Sequence, residues 1–179
     1  IADEQITILI VAGDIFDTGT PSNRAQELYY HFLRDVGKTG CEHIIIVAGN
    51  HDSPSFLNAP RELLRALNIH IVGNASSDLT DQLLILKNRQ QHTQAIIAAV
   101  PYLRDRDIRL AEAGETIQDK ELKLLQGIQN PYAALGQLAQ THCAADETIP
   151  LIATGHLFAS GAHTTEGDGV RDLYVGSLG

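Results

Sequence analysis

Methionine is absent from the 179 residues and cysteine occurs only twice. No apolar run comes near the roughly 20 residues that a membrane-spanning helix needs. Each shortage excludes something. Cys41 and Cys143 stand alone, without CxxC spacing. That argues against a cysteine-bound zinc cluster and a disulfide framework, and predicts a reducing, cytoplasmic location. The lack of a spanning segment predicts a soluble protein with no membrane partner. A chain that opens on Ile1 and holds no methionine is expected to be truncated at its N-terminus, so the missing targeting signal excludes little.

Basic residues are the minority sign, 13 Lys and Arg against 22 Asp and Glu, for a net charge of −9. That argues against a surface built only to grip phosphate backbones, whereas an excess of carboxylates suits a site that gathers divalent cations. Internal repeats, low-complexity tracts and long linkers are lacking too. With 44% hydrophobic and 20% charged residues, the chain reads as one globular domain spanning residues 1–179.

What is present is a pattern of short apolar runs that stop at glycine. ITILIVAGD (6–14) is rich in β-branched residues and suits a strand buried on both faces. Apolar positions at Ala25, Leu28, Tyr29, Phe32, Leu33 and Val36 then mark an amphipathic helix, with Ser22 or Asn23 as cap and Gly37 or Gly40 as stop. HIIIVAG (43–49) repeats the first strand, so the three form a β-α-β unit with parallel strands. A second helix, PRELLRALN, is expected to open at Asn58 and Pro60, followed by a strand at IHIV (69–72). DQLLILKN and TQAIIAAVP read as a hairpin. Residues 117–143 read as helix, with a break or kink at Pro131. TIPLIATGH reads as another buried strand, and RDLYVGS as a further one. The order defines an α/β layered sandwich.

Three strands therefore end in polar punctuation: GDIFD, GNHD and GH. In open α/β sheets the loops beyond the C-terminal strand ends converge on ligands. Asp14, Asn50 and His156 each follow a glycine at such an end. A carboxylate, an amide oxygen and an imidazole suit Mn²⁺, Fe²⁺ or Zn²⁺ better than Mg²⁺. Each residue also has a bland explanation, because strand-terminal Asp and Asn often satisfy loop amides through Asx-turns. Taken singly, GD or GH is bland more often than not; the three in this order are far less expected by chance.

GDIFD, GNHD and GH resemble the motifs of the calcineurin-like metallophosphoesterases. VAGDIFDTGTPS, TGCEHIIIVAGNHDSPSFLN, VPYLRDRDI, PLIATGHLFASGA and VRDLYVGSLG narrow the resemblance to the DNA-repair nucleases of that superfamily. It implies an α-β-β-α sandwich, here incomplete at both ends, and a site with two divalent metal ions, most often Mn²⁺. Asp14 would bridge the two ions, and Asn50 and His156 would ligate the second. His51 and Asp52 would be catalytic, His51 facing the scissile phosphate while Asp52 sets its tautomer, and Asp17 would support the ligands.

The resemblance also implies DNA as substrate, 3′ to 5′ exonuclease and hairpin or single-strand endonuclease action in repair and recombination, an SMC-type ATPase partner and a homodimer. The family's Asp-x-His and Gly-His-x-His motifs are absent from the chain, which predicts weak or no metal binding by these 179 residues alone.

Arg104 and Arg106, with Arg109, are candidates for DNA phosphate contact, although their alternation with Asp105 and Asp107 favours a self-paired, solvated surface. His31, His43, His70, His92 and His142 read as structural or solvent-facing, His163 as near the site without ligating, and Cys41 as packed. Two competing functions stand beside the nuclease: a phosphatase or small-nucleotide phosphodiesterase with the same chemistry, and a metal-free interaction module.

Overall fold

A computed structural model describes residues 1–108, 114–143 and 148–157. The elements are β1 (Ile8–Ala12), α1 (Asn23–Val36), β2 (His43–Val47), α2 (Pro54–Asn58), α3 (Arg61–Arg65), β3 (Ile69–Val72), a 3₁₀ turn (Leu79–Asp81), β4 (Leu83–Lys87), β5 (Thr93–Ala99), α4 (Asp105–Ile108), α5 (Ile117–Cys143) and β6 (Leu151–Thr154). They build two sheets, a parallel β1-β2-β3 and a mixed β4-β5-β6 in which β4 is antiparallel and β6 parallel to β5.

The period of two along β2 explains the layering. Ile44 and Ile46 face outward into a cluster with Tyr29, Leu33 and Val36 of α1 and with Leu57 and Leu64. Ile45 and Val47, one residue out of phase, face inward onto Leu86, Ala95, Ile97 and Ala99 of the second sheet. Ile96 and Ala98, out of phase in turn, pack with Leu135 and Ala139 of α5. Three apolar seams thus separate four layers, helix, sheet, sheet and helix. A strand with both faces covered must be apolar throughout, which is why HIIIV reads as an unbroken run.

β1 and β6 depart from the expected burial on both faces. β1 is half-buried with Ala12 exposed, and Leu151 and Ile152 of β6 are 44% and 40% exposed. Each is an outer strand of its sheet among the described residues, paired along one side only. Apolar composition reports what a strand tolerates; its position in the sheet decides what is covered.

The expected second helix, PRELLRALN, is confined to α3, and a further short helix, α2, precedes it. Ser53 caps α2, its hydroxyl accepting from Phe56 N at 3.3 Å, with Pro54 in the first turn. Pro60 has no amide proton and adopts φ −89°, ψ 10°, so α3 begins after it. The Ser-Pro pair was the overlooked start signal. Pro131 does not break α5, which runs from Ile117 to Cys143. The proline forfeits one helical hydrogen bond, and the packing of Tyr132, Leu135 and Ala139 on β5 offsets it. The hairpin turn holds as expected, with Asn88 Oδ1 accepting from Gln90 N and His92 N at 3.0 Å each. RDLYVGS lies outside the described residues.

At the N-terminal ends of the first sheet's strands, the buried His43 joins the layers. Its Nε2–H donates to the Lys87 carbonyl across the sandwich at 2.7 Å, and its Nδ1 lies 3.4 Å from His70 Nε2. Burial, then His43 and Arg65, lower the His70 pKa from 6.5 to about 4. The unfolded chain therefore binds the extra proton first. This contribution to stability is complete above pH 6.5 and is lost as the pH falls from there towards 4. After discounting for the partial exposure of the ring, acidification from pH 7 to pH 5 is expected to cost roughly 1–2 kcal/mol through this group. Urea unfolding of His70→Asn at both pH values checks it: the variant should lose that much less stability than the parent, and an equal loss would exclude His70 as the source.

Candidate metal centre

The β-α-β unit sends Asp14 and Asn50 out of the adjacent exits of β1 and β2, and β6 delivers His156 from the other sheet. His156 Nε2 lies 3.0 Å from Asn50 Oδ1 and 3.4 Å from Asp14 Oδ2. Residues separated by 106 positions in the chain thus place three donor atoms at one point.

Two glycines make the approach possible. Gly13 has φ +95°, and a Cβ there would fall within the His156 ring. A Cβ on Gly49 would strike the Asp14 main-chain nitrogen and carboxylate. Asp14 itself holds φ +47°, a left-handed conformation costly for a non-glycine residue. His51 N donates to Asp14 Oδ1 at 3.2 Å, and Gly13 N donates to the Val47 carbonyl at 2.8 Å, so neighbouring exits brace the strained turn. The β6 exit is pinned as well: Tyr132 Oη donates to the Thr154 carbonyl at 3.0 Å, and Val100 N donates to Thr154 Oγ1 at 3.2 Å.

Asp52 is 3% exposed and accepts three main-chain amides, from Gly49 at 2.7 Å, Phe16 at 2.9 Å and Ile15 at 3.1 Å. It rivets the β1 loop to the β2 loop. This corrects the expectation that Asp52 orients His51. The tautomer of His51 is set instead by the Asp17 main-chain carbonyl, which accepts from Nδ1–H at 2.8 Å. Asp17 therefore meets His51 through its main chain. That carbonyl, then the Asp14 charge, raise the His51 pKa above its usual value.

Arg106 is 75% exposed and lies 3.8 Å from Asp107, and Arg104 N donates to Asp107 Oδ2 at 3.2 Å. The Arg106 contact is a charge pair within its own helix, and the Arg104 contact is made by the main chain. His31, His92 and His142 are exposed, Cys41 is half-buried with Sγ donating to the His43 carbonyl at 3.2 Å, and Arg109 and His163 lie outside the described residues.

Tyr102 was not singled out from the sequence, although it stands just past the exit of β5, beside the exits that were. Its ring meets that of His156 edge-on, with centroids 6.2 Å apart. The strand-exit rule passed over it because VPY carries proline where the other exits carry glycine.

Among the described residues no three His, Cys, Asp or Glu side chains gather to hold a metal. The set at this point is one carboxylate, one amide and one imidazole, part-exposed and with both oxygens of acceptor type. A divalent cation fits the donor chemistry, and the glycine cradle holds the donors together. A four-layered sandwich with such a set at its strand exits defines a class of metal-dependent phosphoesterases. The chain belongs to the calcineurin-like phosphoesterase family, whose model matches residues 1–174. Over 97% of its length it is 39% identical to SbcD of the SbcCD nuclease of Escherichia coli K12, covering 42% of that protein. SbcD of Rhodobacter capsulatus is 32% identical over 97% of the chain, which covers 43% of it. The chain thus spans about two-fifths of the length of these relatives.

Proposed function

We propose that this chain is the phosphodiesterase domain of a DNA nuclease of the SbcD type. As part of the full-length protein it hydrolyses phosphodiester bonds with two divalent metal ions, Mn²⁺ foremost, to which Asp14, Asn50 and His156 contribute three donors. The convergence of those three donors within 3.4 Å, from strand exits of both sheets, carries the reading. Bound ions would lower the pKa of a water and offset charge on the phosphoryl oxygens.

The chain's own residues supply the rest. Asp14 presents Oδ2 towards His156 while Oδ1 takes the His51 amide. Donation of Nδ1–H to the Asp17 carbonyl leaves His51 Nε2 as the ring atom that meets the substrate; in the imidazolium form, protonated on both nitrogens, it passes the Nε2 proton to the leaving oxygen. His51→Ala should then lower kcat about 10²- to 10⁴-fold, with Mn²⁺ binding retained. Loss of metal along with kcat would instead make His51 a ligand.

In this reading the protein works in the cytoplasm on DNA in repair and recombination, as a 3′ to 5′ exonuclease and a hairpin or single-strand endonuclease. It acts as a homodimer joined to an SbcC-like SMC-type ATPase. With a net charge of −9, the domain relies on that partner or on a local basic groove for DNA affinity. The test compares full-length protein with Mn²⁺ on linear duplex DNA and on a chromogenic phosphodiester. Degradation of the duplex supports the reading, and cleavage of the small ester alone overturns it.

A further inference from the structure

The metal donors come from two sheets, so the sandwich needs something to keep the exits in register at the site. Tyr102 touches both sides. Its main-chain N–H donates to the Ala48 carbonyl at 2.8 Å, two residues before Asn50. Its ring packs against the His156 ring at 6.2 Å with an interplanar angle of 76°. On its Nδ1 side the His156 imidazole rests on bare Gly13, where no Cβ intervenes. Cradle and aromatic edge together restrict the two side-chain torsions that aim Nε2 at Asn50 Oδ1 and Asp14 Oδ2. The near-perpendicular ring arrangement is one that an aromatic side chain supplies with or without a hydroxyl.

We infer that Tyr102 is a positioning residue for metal binding, its ring holding the His156 imidazole in the orientation that completes the Asp14, Asn50 and His156 donor set across the two sheets. This rests on the proposed metal-centre reading. It assigns the exit of β5 a part in the site beside those of β1, β2 and β6. It also predicts a division between aromatic and aliphatic replacements that a simple packing role would not produce.

Mn²⁺ titration of the full-length protein, followed by the electron paramagnetic resonance signal of the free ion, separates the possibilities. His156→Ala should abolish one binding event, Tyr102→Leu should weaken that same event roughly 3- to 10-fold, and Tyr102→Phe should restore parental affinity. Thermal unfolding without metal should place Leu and Phe variants within a few degrees of each other. Parental affinity in Tyr102→Leu, with His156→Ala impaired, overturns the role of Tyr102 and leaves the metal centre standing. Equal weakening in the Phe variant overturns it too, by assigning the effect to the hydroxyl. An unchanged titration in His156→Ala overturns the metal centre itself, and the positioning role with it.

Discussion

Asp52→Ala is expected to lower unfolding free energy by about 3–5 kcal/mol, among the largest losses that a single substitution at this site produces. The side chain is 3% exposed and its oxygens accept the amides of Gly49, Phe16 and Ile15. Hydrogen bonds to a charged acceptor are worth roughly 1.5–3 kcal/mol each, and removing the acceptor leaves buried N–H groups without a partner. Water entering the vacated volume recovers part of the loss, which keeps the expectation below the simple sum. Asp52→Asn keeps one oxygen acceptor but turns an NH₂ donor towards a main-chain N–H, and should cost less than Asp52→Ala without restoring the parent. Urea denaturation measures both: the midpoint should fall with the slope unchanged. The competing view, Asp52 as the orienter of a catalytic histidine, forecasts the reverse, a fall in kcat in Asp52→Asn with an unmoved midpoint. That outcome would remove the rivet from the account.

Gly13→Ala should impair the proposed chemistry and not stability alone. Backbone strain at φ +95° is one part of the cost, and displacement of the His156 ring is the other. Gly40 separates them, since it has φ +87° and no neighbouring atom within 4 Å of an added methyl. Gly40→Ala thus bears the strain alone, about 1 kcal/mol, with hydrolysis unchanged. Gly13→Ala should show that loss of stability and, in addition, a fall of about 100-fold or more in Mn²⁺-dependent hydrolysis, because a shift of about 1 Å at a reacting centre is enough for such an effect. Similar activity in the two variants would mean that His156 does not need its place over Gly13.

Comparison of these two sites shows where sequence reasoning held and where it stopped. The strand exits at Asp14, Asn50 and His156 were legible because an apolar β-branched run, a glycine and a polar residue form a local pattern. The same reasoning assigned α1, with Ser22 as its cap accepting from Ala25 N at 3.2 Å, since capping joins residues three apart. It misjudged Asp52, because the adjacent residue in sequence, His51, is not its partner in space. The partners Ile15 and Phe16 lie 37 and 36 residues away, and no local pattern announces them. Of the break or kink expected at Pro131, the break does not occur, for a related reason. The local penalty was read correctly, and the packing that outweighs it comes from β5.

By itself, then, the sequence determined the strand runs, the parallel β-α-β unit, the family motifs and the three residue types that end the strands, since all of these follow from short-range periodicity and turn chemistry. Only the tertiary structure decided that β1 and β6 are outer strands among the described residues, that Asp52 binds amides and Asp17 lends a carbonyl, and that Tyr102 meets His156. Those outcomes depend on contacts across the sandwich, where the folded geometry, and not neighbourhood along the chain, selects the partner.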